Sequence, residues 1–131
     1  MIEIPATHRD LLDDKHRAFA FLATVVVDGT PQVTVVWFIY KDGYFLINSA
    51  LGRTKDRNMR ERPAVALAIP DPTNMYRFIQ VRGRVVEITK EGATDHINFL
   101  SHKYNGVDYP LTPGQVRVIY KIEPDSVTVN G

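Results

Sequence analysis

The chain has 131 residues and no cysteine, and its 16 basic and 15 acidic side chains leave a net charge of only +1. This length fits a single domain, residues 1–131, with a buried core. The missing cysteines exclude disulfides and thiolate metal sites. The balanced charge argues against a broad nucleic-acid footprint. Because no apolar run approaches a membrane span and the N-terminus lacks the features of a signal peptide, we expect a cytoplasmic protein with no membrane partner.

The first half of the sequence predicts a short helix followed by a three-strand antiparallel meander. The helix is expected in "THRDLLDDKHR", with Thr7 as its N-cap. Asp28-Gly29 is a strong hairpin signal, and a second turn is expected at Lys41-Asp42-Gly43. The β-rich, largely apolar runs around these turns predict three strands: Ala18–Val27, Pro31–Tyr40 and Tyr44–Ala50.

The second half alternates predicted helices and strands. A basic segment has helical character and ends at Pro63, and an amphipathic helix is expected over Lys90–Asn105 with Gly106 at its C-cap. Gly83 predicts a bulge or bend in a long strand. The predicted strands of this half are Ala64–Pro70, Arg77–Thr89 and Gln115–Asn130. The fold class is therefore mainly β, with six antiparallel strands in a small barrel and flanking helices. Side chains fill so small a barrel, so a ligand would lie in an outer groove or a subunit interface.

The segment "ALGRTKDRNMRERP" concentrates positive charge directly after the third predicted strand. Its cations are Arg53, Lys55, Arg57, Arg60 and Arg62. On a helix, Lys55 and Asn58 share one face, as do Arg53 and Arg57. With Gly52 and Thr54 at the helix N-terminus, this pattern is typical of a phosphate site that needs no Walker motif. The alternative is a solvated helix whose arginines pair with Asp56, Glu61 and other carboxylates.

A wider pattern includes this segment. The meander, then "INSALGRTKDRNMRERPAVALAI" and a long strand ending in "VRGRVVEIT", resembles the FMN-binding split-barrel superfamily over residues 18–129. That superfamily contains the pyridoxamine 5'-phosphate oxidase-like proteins and the flavin/deazaflavin oxidoreductases. Pyridoxamine phosphate oxidases more often show Ser-Arg-Lys at the helix start. The Arg57-Asn58 pair is more similar to the group that uses the 8-hydroxy-5-deazaflavin called coenzyme F420.

The resemblance implies a six-stranded split barrel, a homodimer with the cofactor in the interface cleft, and a role for twelve residues. The cofactor phosphate would be held by Arg53, Thr54, Lys55 and Asn58, with Arg57 nearby. The tricyclic ring would lie along Thr34, Val35, Val36 and Trp37. The ribityl chain or ring would border Ser49 and Ala50. Tyr76 and its loop would cover part of the pocket, from the same subunit or the other one.

The implied chemistry is hydride transfer from a reduced deazaflavin to a small organic substrate, for which no acid–base cluster is needed. No catalytic residue is assigned; Tyr76 or solvent is the candidate proton donor. One alternative is an FMN-dependent oxidase or reductase of the pyridoxamine phosphate oxidase type. Another is a non-enzymatic carrier or sensor of flavin, deazaflavin or another anion such as haem. Among the histidines, His96 and His102 point to different sides of their helix, so no metal site is predicted.

Overall fold

The computed structural model describes residues 2–131 and consists of one antiparallel sheet with two α-helices. Two short 3-10 segments, Ala6–Leu12 and Asp14–His16, precede the sheet. The strands are β1 Ala20–Val25, β2 Pro31–Val36, β3 Ile39–Lys41, β4 Tyr44–Ala50, β5 Ala64–Asp71, β6 Asn74–Thr89 and β7 Arg117–Asn130. The helices are α1 Thr54–Glu61 and α2 Ala93–Asn105. The mainly β fold with flanking helices is confirmed.

The order of the strands shows how the sheet curls. The order is β2-β1-β5-β6-β7-β4-β3, and every pairing is antiparallel. The strands at the two edges, β2 and β3, are separated in the chain only by Trp37 and Phe38. Three Cα–Cα steps span at most about 11 Å. The two edges of the sheet are therefore held close together, and the sheet forms a barrel that is split between them.

The split barrel that the resemblance implies is confirmed, and the number of strands is corrected from six to seven. The predicted strand Pro31–Tyr40 is two strands, which pair with different neighbours, β1 and β4. The backbone of Phe38 lies in the gap and bonds to α2 instead of to a strand. The Lys103 ammonium donates to the Phe38 carbonyl at 2.6 Å, and the Phe38 N–H donates to the Tyr104 hydroxyl at 3.4 Å. Side chains of α2 thus satisfy the backbone groups that a closed ladder would have paired.

The core fills the inside of the curled sheet. Alternate residues of each strand point inward, as in β4, where Phe45 and Ile47 are fully buried. They meet inward side chains of β7 such as Val118 and Tyr120. Since the interior is packed, the expectation that a ligand must lie outside the barrel agrees with the structure.

Two local predictions have opposite outcomes. Gly83 lies at a register shift between β6 and β7, so the predicted bulge is confirmed. A Cβ there would lie 2.4 Å from the Glu123 carbonyl oxygen, so only glycine fits this close approach. The predicted N-cap at Thr7 is wrong. The segment Ala6–Leu12 is a 3-10 helix that starts after Pro5 without a side-chain cap, and the Thr7 hydroxyl contacts His8 Nδ1 instead.

Candidate functional site

A cleft of about 190 Å³ lies at the split, between the end of β2 and the two α-helices. Four predicted cofactor-binding residues line it: Val35, Val36, Trp37 and Lys55. Its remaining lining comes from β4, α2, the loop after α2 and β7, through Asn48, Ile97, Leu100, Tyr109 and Arg117. The structure therefore brings together the end of the second strand and the basic helix, the two segments that the resemblance assigns to a cofactor.

The loop before α1 is fixed by one buried carboxylate. Asp56 accepts hydrogen bonds from the Gly52 N–H and from Arg60 Nε, both at 2.9 Å, and from the Tyr120 hydroxyl. Burial alone raises the pKa of Asp56, but these bonds outweigh it and hold the pKa below its usual value. Gly52 has φ +91°, which favours glycine, while the space around it is open. The tight turn that presents α1 to the cleft thus depends on Gly52 and Asp56.

The cations of the basic segment divide into two groups. Arg60 pairs with Asp56, Arg62 pairs with Glu61, and Arg57 donates to the Gly52 carbonyl. These three arginines therefore bond to the protein's own groups, as the alternative interpretation of a solvated helix expects for the whole segment. Arg53 and Lys55 differ from them, because within residues 2–131 neither side chain forms a hydrogen bond or an ion pair with another group of the chain.

Arg117, at the start of β7, is a third cation near the cleft without a carboxylate in the described part of the chain. Only 6% of Arg117 is exposed. Burial, and then repulsion from Arg53 and Arg117, lowers the pKa of Lys55. Burial likewise lowers the pKa of Arg117, with a further contribution from Arg53. Lys55 is half-buried and Arg117 is buried, while the exposed Arg53 repels both. Cations held together in this way are costly unless an anion joins them, so this cluster is suited to a phosphate or carboxylate.

Asn48 and Arg117 were not predicted from the sequence, and they contact each other in the cleft. Arg117 Nε donates to Asn48 Oδ1 at 2.9 Å. The two residues are 69 positions apart and meet because β4 pairs with β7. Each looks like an ordinary strand residue in the sequence. The one available signal was an arginine beginning an apolar strand, which alone does not indicate a site.

Aromatic side chains form the wall of the cleft at the split. The rings of Trp37 and Tyr104 stack with their centroids 5.3 Å apart, and Tyr109 meets Trp37 edge-on at 6.4 Å. The Tyr104 hydroxyl donates to the Ala18 carbonyl at 2.6 Å and accepts from the Phe38 N–H, so this ring is held at the split by two contacts. The wall is therefore a rigid apolar surface, well suited to the face of a planar ring system.

Several predicted residues do not line the cleft. Asn58 is buried, and its amide donates to Thr24 at 3.1 Å and Gln32 at 3.4 Å. Ser49 points into the core, on the same face of β4 as Ile47. The other residues outside the lining are Thr34, opposite Leu22 of β1, Ala50, opposite Arg117 of β7, the exposed Arg53 at the N-cap of α1, Thr54 and Arg57, exposed on α1, and Tyr76. Tyr76 lies next to the β5–β6 turn and is 83% exposed.

The other surfaces of the molecule lack a comparable cluster of like charges within the described residues. A larger cleft of about 550 Å³ lies between the N-terminal segment and the β3–β4 hairpin, lined by Ile2, Glu3, Ile4, Arg9, Leu12, Asp13, Tyr40 and Gly43. Both signs of charge occur there, without a cluster of either. Within residues 2–131, no three His, Asp or Glu side chains are grouped as a metal site would require. In the same residues, no helix has the length and apolar character needed to span a bilayer.

The family model described as pyridoxamine 5'-phosphate oxidase matches residues 4–129. The chain belongs to this family. Membership confirms the resemblance noted in the sequence, and the fold of pyridoxamine 5'-phosphate oxidase-like proteins binds flavins. No functionally curated protein matches the sequence.

Solved structures share this fold over nearly the whole chain. A protein named F420 reductase is 33% identical with a TM-score of 0.83, covering 95% of this chain and 98% of its own. A conserved hypothetical protein of Mycobacterium tuberculosis is 22% identical, with a TM-score of 0.76 over 99% of this chain and 86% of its own. General stress protein 26 of Bacillus anthracis is 19% identical, with a TM-score of 0.68 over 94% of each chain. The last two show the fold alone.

Proposed function

We propose that this protein is an oxidoreductase that binds the deazaflavin coenzyme F420 in the cleft and transfers hydride to a small organic substrate. The observation that carries the proposal is that Lys55 and Arg117 line the cleft beside its aromatic wall, with Arg53 close enough to repel both, and that none of the three has a carboxylate partner among the described residues. A flat ring with an anionic tail matches both parts of such a cleft. The similarity to a protein named F420 reductase favours the deazaflavin among such cofactors.

The residues of the cleft suit this cofactor in chemical type. Lys55 and Arg117 would hold its phosphate together with Arg53, and the start of α1 adds backbone N–H groups. The exposed Thr54 hydroxyl lies at the first residue of that helix. Asn58 would have to give up its contacts with Thr24 and Gln32 to take part. The phosphate-binding set that we propose therefore replaces Asn58 with Arg117.

The remaining lining residues would orient the ring. Val35 and Trp37 would contact it at the end of β2, while the stacked Tyr104 keeps the indole of Trp37 in place. A bound deazaflavin supplies a hydride at a ring carbon, so the chain need only hold the reactants in alignment and exclude water. In favourable cases such alignment accounts for about 7–11 kcal/mol of the barrier. Tyr76 remains the candidate proton donor among the side chains.

FMN is the second candidate cofactor, because the family match is to pyridoxamine 5'-phosphate oxidase. Its phosphate would use the same three cations, and the protein would then be an FMN-dependent oxidase or reductase. A non-enzymatic carrier or sensor would use them as well. The cations therefore predict the anionic tail, while the identity of the ring has to be measured.

We also propose that the protein is a homodimer with the cofactor at the interface. The cleft of about 190 Å³ is smaller than the 300–1,000 Å³ typical of small-molecule sites. Beside it, β2 is an edge strand with exposed Val33 and Val35, which are 63% and 56% accessible. An exposed apolar edge is an aggregation hazard unless another chain covers it. A second copy there would enlarge the site, and its β5–β6 hairpin could supply Tyr76 to it.

The test is a fluorescence titration of the purified protein with coenzyme F420 and with FMN. We expect F420 to bind, and Lys55→Ala and Arg117→Ala each to weaken binding by about 1–3 kcal/mol, or 5- to 150-fold. Lys41→Ala is the matched control. It removes the same charge at the opposite end of β4, about 20 Å from α1 by strand rise. Tighter binding of FMN would favour the second candidate. Unchanged dissociation constants for both cation variants at fixed salt would refute the site.

A further inference from the structure

Arg117 is held by neutral partners only. Its Nε donates to Asn48 Oδ1 at 2.9 Å, its Nη1 donates to Gln115 Oε1 at 3.1 Å, and its guanidinium lies 5.0 Å from the centre of the Tyr109 ring. None of these contacts cancels its charge. Because Lys55 and Arg53 repel it, Arg117 would move away from the cleft if nothing oriented it.

Asn48 is fixed in the orientation that receives Arg117. Its Nδ2 donates to the Ala93 carbonyl at 2.9 Å and contacts His96 Nδ1 at 3.0 Å. The amide nitrogen therefore faces α2, and the amide oxygen faces Arg117. A flipped amide would point its oxygen at the Ala93 carbonyl and its N–H groups at the guanidinium, losing the bonds to Ala93 and Arg117.

His96 completes the chain of contacts from inside α2. With Asn48 donating to Nδ1, the ring proton is on Nε2, and that atom is buried with no partner in the described part of the chain. Burial, and then the charge of Arg117, lowers the pKa of His96 to about 4, so the ring is neutral at pH 7. An unpaired buried donor costs stability. His96 is only 8% exposed and carries this cost. We therefore attribute its presence here to the hydrogen bond that its Nδ1 accepts from Asn48, and not to packing alone.

We propose that Asn48 and His96 are positioning residues that orient Arg117 toward the anionic group of the ligand, an inference that rests on the proposed function. Neither residue need touch the ligand's phosphate for this role. His96 fixes the amide of Asn48, and Asn48 fixes the plane of the guanidinium through Nε. The phosphate then meets an arginine that is already oriented, so less conformational entropy is lost on binding.

The test measures the dissociation constant of inorganic pyrophosphate. Binding is monitored through the NMR signal of the Arg117 Nε–H, and no flavin is needed. Asn48→Leu and His96→Leu should each weaken pyrophosphate binding about tenfold, the lower end of the 10- to 100-fold cost of losing a supporting contact. Both should also speed the exchange of the Nε–H with water. His96→Asn places an acceptor where Nδ1 stands and should stay within about threefold of the parent.

A double-mutant cycle separates positioning from a general structural role. In an Arg117→Ala background, His96→Leu should change pyrophosphate affinity by less than about twofold, since its effect passes through Arg117. An equal loss in both backgrounds, an unchanged affinity in Asn48→Leu, or no pyrophosphate binding by the parent protein would overturn the inference. If these results come out as expected while neither F420 nor FMN binds, the proposed function fails and the positioning roles stand.

Discussion

Lys55 and Asp56 are neighbours in α1 with opposite roles. Lys55 faces the cleft beside cations that repel it, whereas Asp56 is fully engaged with Gly52, Arg60 and Tyr120. The carboxylate therefore stabilises the turn that holds the lysine in place. Ligand binding and fold stability can therefore be tested separately. Substitution of Lys55 should weaken ligand binding, and substitution of Asp56 should lower the stability of the fold.

Asp56→Asn tests the structural role. The loss of a buried charged acceptor should lower the free energy of unfolding by about 3 kcal/mol, measured by urea denaturation at pH 7. Because the folded-state pKa of Asp56 lies below its usual value of about 3.9, its contribution is fully present above that pH. It is lost as the pH falls through the folded pKa, so the gap between variant and parent should narrow in acid.

Asp42→Asn is the control for the loss of a carboxylate. Asp42 is exposed in the β3–β4 turn at φ +53°, a conformation that asparagine also tolerates. The control should leave the free energy of unfolding within about 0.5 kcal/mol of the parent. If the free energies of unfolding of Asp56→Asn and the parent differed by the same amount from neutral to strongly acidic pH, the charge of the carboxylate would not be the cause of the difference.

At the scale of elements, local patterns predicted most of the strands. The strand Tyr44–Ala50 was predicted to the residue, because turn residues bound it on one side and the basic segment on the other. The interruption of the predicted strand Pro31–Tyr40 at Trp37 and Phe38 was not predicted. The run "VVWFIY" is continuously β-forming, with no glycine or proline to interrupt it. What divides it is the bonding of Phe38 to Lys103 and Tyr104, more than 60 residues away.

The β6–β7 bulge gives a prediction at this scale. Gly83→Ala should lower the free energy of unfolding by about 1–3 kcal/mol, because the new Cβ would lie 2.4 Å from the backbone oxygen of Glu123. Gly29→Asn is the control. Gly29 has a φ of +88°, but a Cβ added there would have no atom within 4 Å, so asparagine should cost less than about 1 kcal/mol. A neutral Gly83→Ala in thermal denaturation would mean that the two strands separate easily there.

At the scale of the whole molecule, the site depends on how the sheet closes. The charge pattern of the sequence indicated the start of α1, and the family resemblance added the end of β2; both are local in the chain. Sequence reasoning could not find Asn48 or Arg117, because only the β4–β7 pairing places them together and only α2 places His96 behind them. Asn58 shows the converse. Helical spacing put it on the face of Lys55, but packing of α1 against β1 turned its amide to Thr24.

For the complete molecule, we predict a dimer that forms through the exposed edge strand β2. Val33 is exposed on the edge strand but does not line the cleft. In a two-fold symmetric interface a substitution occurs twice, so Val33→Lys would bring two charges into one apolar contact. By light scattering after size exclusion, we expect the parent at twice the 14.9 kDa chain mass and Val33→Lys at a single chain mass.

Val86→Lys is the control for the dimer, since Val86 is an exposed valine at the other bulge of β6. It should leave the mass unchanged. If the partner completes the site, Val33→Lys should also weaken cofactor binding, although it removes no group from the cleft. A parent that is monomeric at micromolar concentration would contradict the dimer. A monomeric Val33→Lys variant with full affinity would show instead that one chain suffices, because the cations of α1 and β7 and the aromatic wall all come from the same copy.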